Sequence, residues 1–153
     1  MEQIQQNSRL TAEELAEKVC LSPSAVQRRL RRLRENKVIE REVAIVSPES
    51  LGRGVTAIVE VTLDSDRPEA LADFKRAIQN APEIMQGYYV TGEADFILIL
   101  TASSMQEYDE FVHRFLWGRG YVKHSRTSIV LRRIKTGFAM PVNVARQSTR
   151  KAL

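Results

Sequence analysis

The stretch TAEELAEKVCLSPSAVQRRLRRLREN, residues Thr11 to Asn36, decides how the N-terminal part of the chain is read. Thr11 followed three residues later by Glu14 is a capping box, in which each side chain satisfies an orphan backbone N–H at a helix start. A helix is therefore expected from Ala12. Its positions Ala12, Leu15, Ala16 and Val19 keep the three-four spacing of one buried face, while Glu13, Glu14, Glu17 and Lys18 face solvent. Cys20-Leu21 breaks the pattern. Ser22 is then a good N-cap and Pro23 fits the first helical position, where its missing N–H costs nothing, so a second helix runs to about Asn36. At 100° per residue, Val26, Leu30 and Leu33 fall within about 60° of one another and form its buried stripe. Ser24, Gln27, Arg28, Arg31 and Arg32 take the opposite side. Two short helices joined by a tight turn, the second basic on its exposed face, make a helix-turn-helix.

The charge pattern agrees. The chain carries a formal net charge of +4, from 23 Lys and Arg against 19 Asp and Glu. Residues 1–54 hold ten basic and eight acidic side chains, residues 55–135 ten and eleven, and the segment from Thr136 adds Arg146, Arg150 and Lys151 with no acid. Within the first block Arg28, Arg29, Arg31, Arg32 and Arg34 crowd into seven residues. A basic cluster on an otherwise balanced chain is the footprint of phosphate binding, although taken alone it also suits a plain solvated helix face. The helix-turn-helix context favours DNA. The start of such a helix reaches base edges, which makes Ser24, Gln27 and Arg28, with Ser22 at the cap, candidates for readout. Arg31 and Arg32, further along, suit phosphates.

Beyond this helix, Val38-Ile39 and Val43-Ala44-Ile45-Val46 predict a short two-stranded wing ended by Ser47-Pro48. The expected division is residues 1–46 as a DNA-binding domain, 47–54 as a linker, 55–135 as a second domain and 136–153 as a basic C-terminal segment. From Val55 the periodicity becomes two, with Val55, Ala57, Val59, Val61 and Leu63 alternating with Thr56, Ile58, Glu60 and Thr62, which predicts a strand. Leu71, Phe74, Ala77 and Ile78 mark a helix ending before Pro82. Ile84 to Thr91 and Phe96 to Leu100 read as strands joined by a hairpin turn at Gly92-Glu93-Ala94-Asp95. A helix with Met105, Tyr108, Phe111, Val112, Phe115 and Leu116 inward follows, then a last strand over Thr127 to Ile134. Strand, helix, strand, strand, helix, strand is the split βαβ, or ferredoxin-like, order, so the whole chain is α+β. Its helices cover one sheet face. Ile58, Tyr88, Val90, Ile97, Ile99 and Val130 make the other too apolar for water, which predicts a homodimer through that face.

Composition excludes several alternatives. At 153 residues, 43% hydrophobic and 27% charged, the chain is ordinary globular material, and no apolar run spans a membrane. A polar start from Met1 to Asn7 is unlike a signal peptide, so the expected location is cytoplasmic. One cysteine, Cys20, and two histidines, His113 and His124, provide neither a disulfide nor a zinc cluster. Cys20 itself is expected to be a small buried turn residue. Gly52-x-Gly54 and Gly118-x-Gly120 are too short to hold a nucleotide, and no nucleophile and base pair is visible. No catalytic residue, metal or cofactor is expected.

The accumulated residues resemble the Lrp/AsnC (feast/famine) family of prokaryotic transcription regulators over about residues 4–141. The resemblance rests on Arg9-Leu10-Thr11, Leu15-Ala16, Leu21-Ser22-Pro23-Ser24, Arg29-Leu30-Arg31-Arg32-Leu33, Ile39, Ser47-Pro48 with Leu51-Gly52, Val90-Thr91-Gly92-Glu93-Ala94-Asp95, and Thr127-Ser128-Ile129-Val130-Leu131-Arg132. It implies a winged helix-turn-helix joined to an effector-binding domain, assembly into dimers and often octamers, and control by an amino acid or related metabolite. The effector loop it implies is Thr91, Gly92, Glu93, Ala94 and Asp95. Gly92 lets a ligand approach the backbone and Asp95 suits the ammonium of an amino acid; the same residues also simply build turns. Three departures from the family pattern stand out. The first helix is shortened to Met1-Glu2-Gln3-Ile4-Gln5, which carries the expectation that Met1 is not the natural start or that the DNA-binding domain is frayed. Cys20 stands where the turn usually has Gly, and Asn36-Lys37 where the recognition helix usually ends in Gly, with Asn36 suited to the left-handed cap. Two competing readings share the architecture: a siroheme decarboxylase-like enzyme, which would need His113 or His124 in a tetrapyrrole cavity, and an effector-binding partner that has lost DNA binding.

Overall fold

A computed structural model describes residues 1–64 and 67–142. The basic residues Arg146, Arg150 and Lys151 lie outside the described residues. The chain divides into two compact units, one formed by Met1–Ala44 together with the segment from Lys135, the other by Ile45–Ile134.

In the first unit, helices α1 (Glu2–Gln6), α2 (Ala12–Val19) and α3 (Pro23–Glu35) follow in order. The capping box is present: Thr11 Oγ1 accepts from Glu14 N at 3.2 Å and Glu14 Oε2 from Thr11 N at 2.7 Å. Helix α2 stops because Cys20 turns left-handed (φ 53°, ψ 49°), which lets Leu21 N reach back to Ala16 O at 3.1 Å and tucks Leu21 against the core. Ser22 Oγ then caps α3 by accepting from Ala25 N at 3.3 Å. Leu15, Ala16 and Val26 are buried, with Ile4, Leu10, Ala12, Leu21 and Leu30 packed around them.

Four expectations are corrected here. Val19 is 44% exposed, because the five-residue α1 brings only Ile4 to this core. Cys20 is exposed rather than buried. At the end of α3 the left-handed residue is Lys37 (φ 53°), not Asn36 (φ −79°), and it directs Val38 N and Ile39 N to Leu33 O. The wing ladder is absent among the described residues: 40–47 pair with no strand, and Val43, Ile45 and Val46 are exposed. No turn former interrupts Glu40 to Val46, so the run has no place to fold back on itself. One contact was not anticipated. The Gln5 side-chain amide both donates to Met140 O (3.0 Å) and accepts from Met140 N (2.7 Å), pairing α1 with the segment that follows residue 135.

The second unit contains β1 (Val55–Leu63), α4 (Pro68–Asn80), β2 (Ile84–Tyr89), β3 (Phe96–Ala102), α5 (Met105–Phe115) and β4 (Val122–Ile129). All pairings are antiparallel in the order β2-β3-β1-β4, the ferredoxin-like arrangement expected. Ala57, Val59, Val61 and Leu63 of β1 point into a core with Phe96, Leu98 and Leu100 of β3, Phe74 of α4 and Phe111 and Phe115 of α5. Phe74 is its hub, with ring centroids 4.9 Å from Phe96, 5.7 Å from Phe115 and 6.3 Å from Tyr121. Arg53, arriving from the linker, ties the end of β3 to the start of α5. Its Nε donates to Thr101 Oγ1 at 3.0 Å and its Nη2 reaches Glu107 Oε1 at 3.2 Å, while hydrogen bonds from Ser103 hold the Glu107 carboxyl below its ordinary range.

Strand β4 lies earlier than Thr127–Ile134. Leu131 and Ile134 are 98% and 87% exposed, and the ladder to β1 runs from Leu63↔Val122 to Ala57↔Ile129. On the helix side of the sheet it carries Thr127, exposed but with its hydroxyl meeting that of Tyr108 at 2.5 Å, so an apolar alternation was never needed there. Strand β2 ends at Tyr89 rather than Thr91, and Met105 is 51% exposed rather than inward.

Gly87 sets how closely α4 approaches the sheet, since a Cβ placed on it would come within 2.6 Å of Ile78 Cγ2. Gly87→Ala is expected to cost about 1 to 3 kcal/mol in urea unfolding through overpacking. Gly54→Ala, where a Cβ meets nothing within 4 Å, serves as the neutral control. Equal stability of the two variants would remove Gly87 from this role.

Candidate functional site

Helix α3 presents its basic side to solvent because Val26 and Leu30 pack against the core of α2, with Leu33 half-buried. Ser24, Gln27, Arg28, Arg31 and Arg32 are all exposed, as is Arg29. Arg34 is held by Glu42 at 2.9 Å. Arg28, Arg29, Arg31 and Arg32 have no carboxylate partner among the described residues, so four guanidiniums stand with their charge uncompensated on one helix. Such an arrangement repels itself, and an anion lying along the helix relieves the repulsion. Ser22 is already engaged as the cap and lies 3.2 Å from Ser24 Oγ. Its first task is to fix where α3 begins. Arg29 was not singled out from the sequence because it flanks the exposed face; its lack of a partner is the signal that adds it.

In the second unit the residues Thr91 to Asp95 connect β2 and β3. Thr91, Gly92 and Glu93 are exposed, and Gly92 takes φ 126°, a conformation closed to most side chains. Ala94 and Asp95 are half-buried. Asp95 is anchored on three sides: its N–H donates to Val61 O (2.9 Å), its carbonyl accepts from Val90 N (2.9 Å), and its Oδ2 accepts from Leu63 N (2.8 Å). The last bond falls one step beyond the end of the β1–β3 ladder at Val61↔Phe96, so the Asp95 carboxylate takes the place of a strand partner for that N–H. The structure thus brings the loop together as a tip of three open residues on a root pinned to β1. Asp95 has a structural duty beside any role toward a ligand.

The open sheet face carries all six of the expected apolar residues. Register places Ile58, Tyr88, Ile97 and Ile99 on it, and Val90 and Val130 continue it through their backbone bonds to Asp95 and Thr56. The β4 side is charged: Arg126 Nη2 pairs with Glu60 Oε2 at 2.6 Å, which raises the guanidinium above its ordinary value. His113 on α5 and His124 on β4 are both exposed. Among the described residues no group of three or more His, Cys, Asp or Glu is placed to hold a metal ion, and no helix is long and apolar enough to cross a membrane.

Comparison with known proteins gives a consistent picture. Residues 1–40 match the winged helix-turn-helix DNA-binding domain, and residues 56–140 match the Lrp/AsnC ligand binding domain. An HTH-type transcriptional regulator of Sinorhizobium fredii, y4tD, is 52% identical over 141 residues, covering 92% of this chain and 83% of its own. The crystal structure of the transcriptional regulator NMB0573 from Neisseria meningitidis, in complex with L-Met, superimposes with a TM-score of 0.88 at 33% identity, over 93% of this chain and 92% of that one. An AsnC family transcriptional regulator from Agrobacterium tumefaciens gives 0.84 at 28% identity over 90% of each chain.

Arg28→Ala is expected to weaken specific DNA binding by about 1 to 3 kcal/mol and to relax base preference at one position. Arg32→Ala should weaken all sequences alike and lower the slope of log affinity against log salt by about one. Fluorescence anisotropy on specific and random duplexes separates the two. Indistinguishable losses on both duplexes would mean that α3 does not read bases from its N-terminal end.

Proposed function

The chain belongs to the Lrp/AsnC family and is a transcriptional regulator with a helix-turn-helix for DNA and a second domain that binds an amino acid; from that premise we propose which residues perform each task. The observation that carries the DNA assignment is the row of four unpaired guanidiniums on α3. Ser24, Gln27 and Arg28, at the start of the helix that Ser22 caps, read base edges in a major groove. Arg31 and Arg32, joined by Arg29, hold phosphates and set the register. Residues 1–46 form the DNA-binding part, 47–54 the linker and 55–135 the effector and assembly domain. A DNA target supports a cytoplasmic location. The related proteins are regulators, which supports the regulator reading ahead of the enzyme one.

The hairpin tip Thr91-Gly92-Glu93 offers backbone to the effector, and Asp95 supplies the negative charge at its root. Because the L-Met complex belongs to a structural neighbour, L-methionine is the first amino acid to test. Two copies associate through the open sheet face, covering Ile58, Tyr88, Val90, Ile97 and Ile99, with Glu60 and Arg126 paired at the margin. Such dimers assemble further, to octamers, and so present several α3 helices to one DNA.

Asp95 has two duties that substitution separates. Asp95→Asn keeps a side-chain oxygen for Leu63 N–H but loses the charge that an ammonium group needs. Calorimetry should show amino-acid binding weakened about tenfold or more in Asp95→Asn, with an unchanged melting temperature, the loss expected for one charge-assisted contact. Asp95→Ala should lose both binding and stability. Unaltered affinity in Asp95→Asn, for an amino acid that binds the parent, would move the ammonium contact to another residue.

Assembly is tested by Ile99→Arg. This residue is half-buried on the open face and absent from the core, so the domain should keep its circular dichroism while light scattering reports a lower mass. An unchanged mass would place the dimer contact elsewhere.

A further inference from the structure

On the helical side of the second unit, an open cleft of about 410 Å³ lies between the C-terminal halves of α4 and α5, floored by the turn Ala81-Pro82-Glu83 and by Arg119. That turn precedes β2, whereas the Thr91–Asp95 loop follows it. The cleft and the loop are therefore at opposite ends of a six-residue strand, roughly 20 Å apart. Nothing in the regulator's assigned tasks uses this place.

The charges in the cleft do not balance. Arg76 is paired with Asp73 at 2.8 Å and Arg114 with Glu83 at 2.9 Å. Asp73 is further satisfied by the Tyr121 hydroxyl, which donates to its other oxygen at 2.5 Å and helps keep its carboxyl below the ordinary range. Arg119 is the third guanidinium and has no carboxylate of its own. It lies over the Phe115 ring at 4.7 Å and donates through Nη1 to the Phe115 carbonyl at 2.5 Å. Its Nε is 3.9 Å from Asp73, beyond hydrogen-bond reach. Among the described residues this Nε is the buried side-chain nitrogen or oxygen left without a hydrogen-bond partner. That Nε is closed to the cleft and is a local cost of packing; what the cleft meets is the rest of the guanidinium, on a side chain 27% exposed, whose charge Asp73 at 3.9 Å offsets only in part.

Ligand class follows from the lining. One excess positive charge matches a monoanion. Asp73 and Glu83 disfavour a phosphate dianion, and a cation is opposed by the excess guanidinium. Ala77, Pro82 and Phe111 give the cleft an apolar wall beside the charged floor. Its volume falls within the range of small-molecule sites. We propose that this cleft is a second ligand site, distinct from the hairpin loop, for a monocarboxylate with an apolar or aromatic body: the carboxylate on Arg119 and the body against Phe111 and Phe115. Bound there, the ligand bridges α4 to α5 and fixes their spacing.

Phenylacetate is the probe, added to the full-length protein. Trp117 is the only tryptophan, is 48% exposed and lies on the same short 3-10 turn as Arg119, so its fluorescence reports the site, with calorimetry for stoichiometry. The expected result is saturable binding of one phenylacetate per chain, with no saturation by 2-phenylethylamine and with inorganic phosphate at least about tenfold weaker. Arg119→Gln should weaken phenylacetate about tenfold by removing the charge. Asn80→Phe, which fills the mouth of the cleft from an exposed position and leaves every charge in place, should do the same and keeps the test valid if the first variant folds poorly. Asp95→Asn should leave phenylacetate binding unchanged, which separates this site from the amino-acid site. The proposal is overturned by any of four results: no saturation, equal binding of the amine or of phosphate, binding that survives Asn80→Phe, or binding lost in Asp95→Asn.

Discussion

Strand β1 is hydrogen-bonded to β3 on one side and β4 on the other, and Ala57, Val59 and Val61 along it are wholly removed from water. The rest of the second unit is arranged around that constraint. A strand paired on both edges has no free backbone, so its two faces must find different partners. One takes Phe74, Phe111 and Phe115 from the helices. The other keeps Ile58 beside Ile97 and Ile99 and is the face proposed above to meet a second copy. Burial of each large side chain in the covered layer contributes about 1.5 to 3 kcal/mol, which explains why the aromatic hub can hold two helices on a four-stranded sheet.

The same strand anchors the Thr91–Asp95 loop, the proposed effector loop. The β1–β3 ladder ends at Val61↔Phe96, and Asp95, just before β3, accepts the Leu63 N–H that lies one step beyond it. The loop is held at its root by a bond within the core domain, and only Thr91, Gly92 and Glu93 are left open. A ligand charge arriving at Asp95 would compete with, or share, that bond. On that proposal, effector binding and the geometry of the central strand are physically linked.

The DNA-binding unit is economical in a different way. Its buried core is Leu15, Ala16 and Val26, and two of its turns use left-handed residues that are not glycine, Cys20 and Lys37. Each such residue costs on the order of 1 kcal/mol. The cost is offset locally, because each left-handed turn returns a backbone N–H to the preceding helix and seats an apolar residue, Leu21 or Ile39, beside it. Specific capping by Thr11, Glu14 and Ser22 fixes where α2 and α3 begin.

What the sequence by itself determined is what short-range chemistry controls. The capping box, the Ser22-Pro23 helix start, the exposed side of α3 and the alternation in β1 depend on residues within four positions of one another, and each was legible. The order of elements in the second domain followed from those pieces, and with it the six apolar residues of the open face. Tertiary structure decided the rest. β4 was misplaced because the Thr127 on its helix side meets Tyr108, nineteen residues earlier, and no local apolar pattern marks such a strand. The wing was expected from β-branched residues, yet a ladder needs a partner strand, and within the described residues none is offered. Asp95 read as an open loop carboxylate because its acceptor role depends on Leu63, thirty-two residues away. The unpartnered Arg119 and the clearance at Gly87 likewise exist only after α4, α5 and the sheet have packed. Long-range contacts of this kind leave no periodicity in the chain, since the partner is set by the topology of the sheet and not by spacing along the sequence.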